Sequence, residues 1–329
     1  MQRIEISYKT IVFTVFFLLL LWFLYLIKGI IVLFFISFIL MSALRPSVEK
    51  LEKLKIPRSL AIGFIYVLII LILYFVGRVI FPPMIDETIH LVNSIAPPGS
   101  LPSFYQEILS FIKNLNLEGF SKITPYGGNV VDVLKVTVSI FGGIISALTL
   151  FMFTFYLLLE RKNLGALLES FLPEEQAKKG VLIIESVEER LGAWTRGQFL
   201  LCIIIGIFTF IGLTILKVSY ALPLSIIAAL FEIVPNIGPI ISAIPAVLVT
   251  LAISPGLALA TVILFIVIHQ VENILVVPNV MKRVVGLSPV VTIAALMVGG
   301  ELMGIGGALL SIPVVLVLQT VIQELLKNR

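Results

Sequence analysis

The sequence predicts an all-α, polytopic membrane protein with about eight hydrophobic segments, two of them broken into re-entrant helical hairpins. Three observations predict this. The 329 residues are 59% hydrophobic and 13% charged, with a mean hydropathy of +1.15, whereas soluble domains carry about 25% charged residues. Apolar runs fall at 11–27, 30–44, 60–80, 137–159, 198–216, 221–252, 256–277 and 287–322, most of them long enough to cross a bilayer once. Two of the runs, 221–252 and 287–322, are interrupted near mid-length by Pro, Gly and a lone carboxylate. An unbroken helix of that length would be roughly 50 Å long, against a hydrocarbon core of about 30 Å. Breakers at mid-span free backbone groups that lipid cannot satisfy, so they must face protein or a watery cavity. This arrangement marks substrate or ion sites in secondary transporters.

The first 80 residues read as a transmembrane scaffold of three spans. Arg3 and Lys9 precede an apolar segment running from Ile11 to Leu44 with one interruption at Lys28-Gly29. That is too long for the core of a cleaved signal peptide and reads as an uncleaved helical hairpin. Trp22, Tyr25 and Tyr74 sit near run ends, where amphipathic rings prefer the interface. Residues 81–136 read as an extracytoplasmic module: prolines and glycines punctuate it, and Phe104, Ile108, Phe111, Ile112 and Leu115 share one helical face. Such helices either lie on the outer surface or act as a lid or oligomer contact. The fourth span occupies 137–160, where Gly142-Gly143, Ser146 and Ala147 suit helix packing.

Residues 161–197 read as a cytoplasmic amphipathic helix. Pro173 followed by Glu174 and Glu175 is a helix start, and Ala177, Val181, Ile184, Val187, Leu191 and Trp194 line one face, with Gly180 and Gly192 as weak points. The loops 45–59 and 160–197 are rich in Lys and Arg and belong inside by the positive-inside rule, together with the N-terminus. The remaining 198–329 read as a transport core. Lys282, Arg283, Lys327 and Arg329 fall inside if 221–252 and 287–322 are hairpins, so the charges favour hairpins over plain crossings and place both termini in the cytoplasm. Ile227-Ala228-Ala229-Leu230 recurs as Ile293-Ala294-Ala295-Leu296, and Ile244-Pro245 recurs as Ile312-Pro313, which suggests an internal repeat or the chance matches of apolar sequence.

Charged groups at membrane depth are expensive and therefore functional candidates. Glu232 precedes the break Pro235-Asn236-Ile237-Gly238-Pro239. A carboxylate, an amide and freed carbonyls offer hard oxygens for Na⁺, H⁺ or a polar solute; otherwise Glu232 solvates at an interface. His269, Glu272 and Asn273 share a helix face by their i, i+3, i+4 spacing. They either relay protons or anchor a helix end at the headgroups. Glu301 lies among Gly299, Gly300, Gly304, Gly306 and Gly307, at a tight turn where it gates, binds or meets water. No cofactor is expected beyond Na⁺ or H⁺ as a coupling ion. The lone cysteine, Cys202, excludes an internal disulfide. One His and one Glu are too few for zinc. No phosphate-binding GxxxxGK[ST] loop occurs, which argues against ATP-driven transport by this chain. No Asp occurs inside a run, and no Ser–His arrangement or His-rich set accompanies His269, which argues against an intramembrane enzyme. The +4 charge sits in loops, not in a basic patch for nucleic acid.

The runs FEIVPNIGPIISAIPA, HQVENILVVPNVMKRVVGLSPVV and GGELMGIGGALLSIPV resemble the autoinducer-2 exporter family of prokaryotic membrane proteins, and the layout of the whole chain matches as well. The resemblance implies an eight-segment permease of the cytoplasmic membrane, a homo-oligomer, that exports or exchanges a small polar solute, a signalling furanone being one possibility; Na⁺/H⁺ exchange is also ascribed to relatives. The family motif maps onto Glu232, Pro235, Gly238, Pro239, Glu272, Asn273, Pro278, Pro289, Gly300, Gly304, Gly307 and Pro313. The expected function is secondary active export by alternating access, coupled to H⁺ or Na⁺, with a Na⁺(Li⁺)/H⁺ antiporter as alternative and a non-transport membrane scaffold as a distant one. The expected partners are the lipid bilayer, the solute or a monovalent cation, and further copies of the chain.

Overall fold

A computed structural model describes residues 8–95, 130–235, 237–281 and 288–327. It is all-helical, with no strand among the described residues. Among the described residues, five helices are long and apolar enough to cross a membrane: Lys28–Lys53, Arg58–Phe75, Glu174–Ile215, Pro255–Val280 and Val290–Lys327. Shorter apolar helices cover Val12–Leu26, Ala221–Phe231 and Gly238–Ile253.

Helix α1 (Tyr8–Leu26) is apolar around its whole circumference and exposes Phe13, Phe16, Leu20 and Trp22, as a lipid-facing helix does. Lys28 starts α2 (Lys28–Lys53) with its ammonium 4.3 Å from the Tyr25 ring centroid. Pro46 interrupts the hydrogen bonding of α2, since it has no N–H to offer the Ser42 carbonyl one turn back. Arg196 makes good the loss: its Nη1 donates to the Ser42 carbonyl (3.2 Å) and the Ala43 carbonyl (3.1 Å). Lys55, at φ 66°, ends the turn before α3 (Arg58–Ile95).

Helix α4 (Val130–Glu160) is tied to α2 and α3 through its backbone carbonyls. Tyr66 Oη donates to Phe151 O (2.9 Å), Arg58 Nε to Leu158 O (2.6 Å) and Ser37 Oγ to Leu150 O (3.3 Å). Such interhelical bonds are each worth roughly 0.6 kcal/mol in a membrane. The expected boundary at residue 80 does not end α3, whose backbone stays helical through Pro82-Pro83 to Ile95, since an interior proline removes one bond without stopping a helix. The remainder of the 81–136 module, from 96 to 129, lies outside the described residues.

After the short α5 (Leu164–Glu169), Pro173 occupies the N-cap of α6 (Glu174–Ile215). Lys179 donates to Glu175 (2.8 Å) and holds that carboxyl below its usual range. The amphipathic segment and the span after it form one helix of 42 residues, about 63 Å long. That is twice the hydrocarbon thickness, so a large part of α6 projects beyond the bilayer. Ala177, Val187 and Leu191 are buried, as their spacing predicts. Gly192 is a contact rather than a weak point: a Cβ there would overlap the Ser42 carbonyl. Glu188, 2% exposed, accepts from Arg45 and Arg161 and joins α6 to α2 and to the end of α4.

The last third carries the breaks. Helices α7 (Ala221–Phe231) and α8 (Gly238–Ile253) pack on each other, and α7 packs along α6. Their shared core includes Leu213, Leu224, Ala228, Ala246, Val249 and Phe265. At 11 residues, α7 is only about 16 Å long, too short to cross. Helix α9 (Pro255–Val271) starts on the Ser254 cap, whose side chain accepts from Leu257 N, and runs into a π turn (Glu272–Val276) and the short α10 (Val277–Val280). Helix α11 (Pro289–Lys327) is bent at Met303 (φ −142°) and Gly304 (φ 62°). Its two arms lie against each other, since a Cβ on Gly299 or on Gly307 would overlap the carbonyl of the other. In a straight helix, residues eight apart are about 12 Å apart.

Candidate functional site

The end of α7 is built around the expected break. Helix α7 stops at Phe231, and α8 restarts on Gly238-Pro239, where the missing proline N–H belongs to an unbonded first turn anyway. Only glycine fits at 238: a Cβ would overlap the Phe231 carbonyl. Glu232 therefore points into the interior, 1% exposed, and neither of its carboxylate oxygens meets a hydrogen-bond donor. Its own carbonyl, at the end of α7, accepts from Gln198 Nε2 on α6 at 2.6 Å. The Gln198 side chain is buried, and its Oε1 meets no donor.

The second half of the site comes from α9. Wide π turns inside α-helices shift side chains out of register and recur at functional sites. Here the π turn opens at Glu272, 3% exposed. Asn273 Nδ2 donates to His269 Nε2 (3.1 Å). In a neutral imidazole this leaves the proton on Nδ1, which faces Glu272 Oε2 at 3.6 Å. The predicted face of His269, Glu272 and Asn273 is thus assembled.

The carboxyl groups of Glu232 and Glu272 are close enough in the interior to interact electrostatically. Two carboxylates only accept, so a bond between them needs a proton on one. Two bare anions in such surroundings call for a neutralising partner, either a shared proton or a cation. The available oxygens on Glu232, Glu272 and Gln198 are hard donors suited to either.

An open groove of about 260 Å³ runs between α8 and α9, lined by Pro239, Ala243, Val247, Phe265, His269 and Gln270 and by the exposed Ile240 and Ile266, among others. Its walls are apolar, with His269 and Gln270 at the polar end. The bent α11 closes in from another side: Leu296, Ile312 and Leu316 form a core that takes in Val234 of the break and Trp194 of α6.

The remaining predicted positions divide. Pro235, Gly238 and Pro239 form the break, and Gly304 and Gly307 form the bend. Gly300 has open space at its Cβ, and Glu301 is exposed beside the bend. Asn236 lies outside the described residues. Gln198 and Gln270 are additions. The sequence signal for Gln198 is a polar side chain at the start of an apolar run, where it reads as a span boundary.

Residues 11–327 match the family model described as "AI-2E family transporter". YueF of Bacillus subtilis (strain 168) is 30% identical over 300 residues, covering 85% of this chain and 79% of its own. YrrI of the same organism is 27% identical over 320 residues, covering 92% and 88%. YhhT of Escherichia coli (strain K12) is 26% identical over 288 residues, covering 77% and 80%. The names of all three ascribe transport to them without stating a cargo.

Proposed function

The chain belongs to the AI-2E transporter family, and from that premise we propose that it is a secondary transporter that moves a small polar solute by alternating access, with Glu232 and Glu272 as the coupling site. The observation that carries this reading is a pair of adjacent, buried carboxyl groups set where one helix breaks and another widens into a π turn. Protonation or cation binding at such a pair changes its charge, and a change of charge in a dry site biases which conformation is stable. In this reading α7–α8 and the two arms of α11 are re-entrant hairpins that bring the count to eight apolar segments, and 198–329 moves against the scaffold of 1–80. The groove beside His269 and Gln270 holds the solute, its apolar walls suiting a compact molecule with a localised polar group. The chain works as a homo-oligomer in the cytoplasmic membrane, with both termini inside.

One observation favours a Na⁺(Li⁺)/H⁺ antiporter as the second reading. The unpartnered groups at the break, the Glu232 carboxylate and Gln198 Oε1, are all oxygens, the donor type that alkali cations prefer.

The test uses purified protein in proteoliposomes with an imposed pH or Na⁺ gradient. Glu232→Gln and Glu272→Gln should each abolish gradient-driven flux while the protein still folds. Undiminished flux in both would remove the pair from the mechanism. Na⁺ movement against the pH gradient without any organic solute would select the antiporter.

A further inference from the structure

We propose that the cleft at the α2–α3 turn is a binding site for the phosphate headgroup of an anionic phospholipid. The cleft, of about 650 Å³, lies between the end of α2, the start of α3 and the Arg161-Lys162 turn after α4. Its lining carries six cations to two acids. Four of the cations are engaged. Arg58 and Lys162 share Glu52 (3.0 and 2.7 Å), Arg45 pairs with Glu49 and Glu188, and Arg161 binds Glu188 at 2.7 Å. Lys53 and Lys55 make no ion pair among the described residues and stand exposed on the same wall.

Two features select a lipid over a soluble phosphate. The apolar part of α2, from Lys28 to Leu44, is about 25 Å long, close to one hydrocarbon thickness. The apolar run of α3 starts at Leu60, 64% exposed and two residues after Arg58, which sets the α2–α3 turn at headgroup level. Leu54, between the two lysines in sequence but outside the lining of the cleft, is 70% exposed. An exposed apolar side chain beside a cationic cleft matches a molecule whose anionic head adjoins acyl chains. Basic pockets at the ends of transmembrane helices are where such headgroups bind.

Lys55 sharpens the test. It ends α2 in the left-handed region, its N–H bonded to the Glu52 carbonyl at 2.8 Å. Glycine is the ordinary residue for that position, so a lysine there bears backbone strain, as Lys217 does after α6. Lys55→Gly separates the roles: it relieves the backbone and removes the charge.

The experiment uses the full chain in phosphatidylcholine nanodiscs, titrated with phosphatidylglycerol, with bound lipid counted by native mass spectrometry and melting temperature read alongside. Phosphatidylglycerol should be retained and should raise the melting temperature of the native protein. The Lys53→Gln/Lys55→Gly variant should bind it about 30-fold more weakly, the loss expected for two lysines at an anionic surface, while melting no lower without it. Equal binding by native and variant protein, or equal retention of phosphatidylcholine, overturns the proposal. Stabilisation by inorganic phosphate alone, with loss of bound phosphatidylglycerol, would overturn the lipid as the source of the phosphate.

Discussion

Gln198 donates from Nε2 to the backbone carbonyl of Glu232 at 2.6 Å, and so one side chain from α6 fixes the end of α7 at the point where the chain breaks. The bond ties α6 to the residue at which α7 ends, next to the carboxyl group that enters the interior. Gln198→Leu should therefore impair coupled transport although it removes no charged group. Losing this hydrogen bond costs about 0.5–1.5 kcal/mol. Removing the unpartnered Oε1 of Gln198 offsets part of this, so a net loss of about 1 kcal/mol or less is expected. Melting temperature and gradient-driven flux on one preparation check it: a large loss of flux with a small loss of stability is the expected pattern.

Glu232 and Glu272 should behave as a unit. If either carboxyl group alone ruins coupling, the double variant Glu232→Gln/Glu272→Gln should be no worse than the worse single one, because groups that act together are strongly non-additive. Flux in all three variants measures this. Independent, multiplying losses would assign the two acids to separate steps.

Much of this site was legible in the sequence, and the exceptions have a common cause. Pro235, Gly238 and Pro239 announce a break through their own backbone chemistry, and His269, Glu272 and Asn273 announce a shared face through helical spacing. Both are local signals. Gln198 acts through a partner 34 positions away, and the Arg196 contact that mends α2 at Pro46 spans 154; no periodicity reports such pairings. At 80 and 197 the sequence marks a change of polarity and not a helix end. Nothing stops the helix there, and α3 and α6 continue past the change. Glu301 shares its glycine-rich setting with the bend, yet the bend turns it outward.

The buried ion cluster makes a stability prediction. Glu188→Ala would leave Arg45 and Arg161 without the carboxylate they share. The loss should fall below the roughly 3–5 kcal/mol of a pair buried on both sides, because Arg45 keeps Glu49 and Arg161 keeps Glu185, yet well above that of the exposed i,i+4 pair Glu175–Lys179. A large drop in melting temperature for Glu188→Ala beside almost none for Glu175→Ala is the expected result.

The bend in α11 rests on two glycines that touch and not on the glycine-rich stretch as a whole. A Cβ on Gly299 or Gly307 would meet backbone of the opposite arm, which cannot move aside as a side chain can. A Cβ on Gly300 or Gly306 would meet nothing within 4 Å. Gly304 is a third kind of position: it has space, but its φ of 62° strains any L side chain by about 1 kcal/mol or more. Alanine at 300 or 306 should leave stability within about 0.5 kcal/mol of the native protein. Alanine at 299 or 307 should separate the arms and uncover the core of Leu296, Ile312 and Leu316, with a loss of several kcal/mol or failure to accumulate. Alanine at 304 should fall between. Melting temperatures of the five single variants give the order directly, and equal tolerance at 299, 300, 306 and 307 would mean that the arms of α11 do not meet at these glycines.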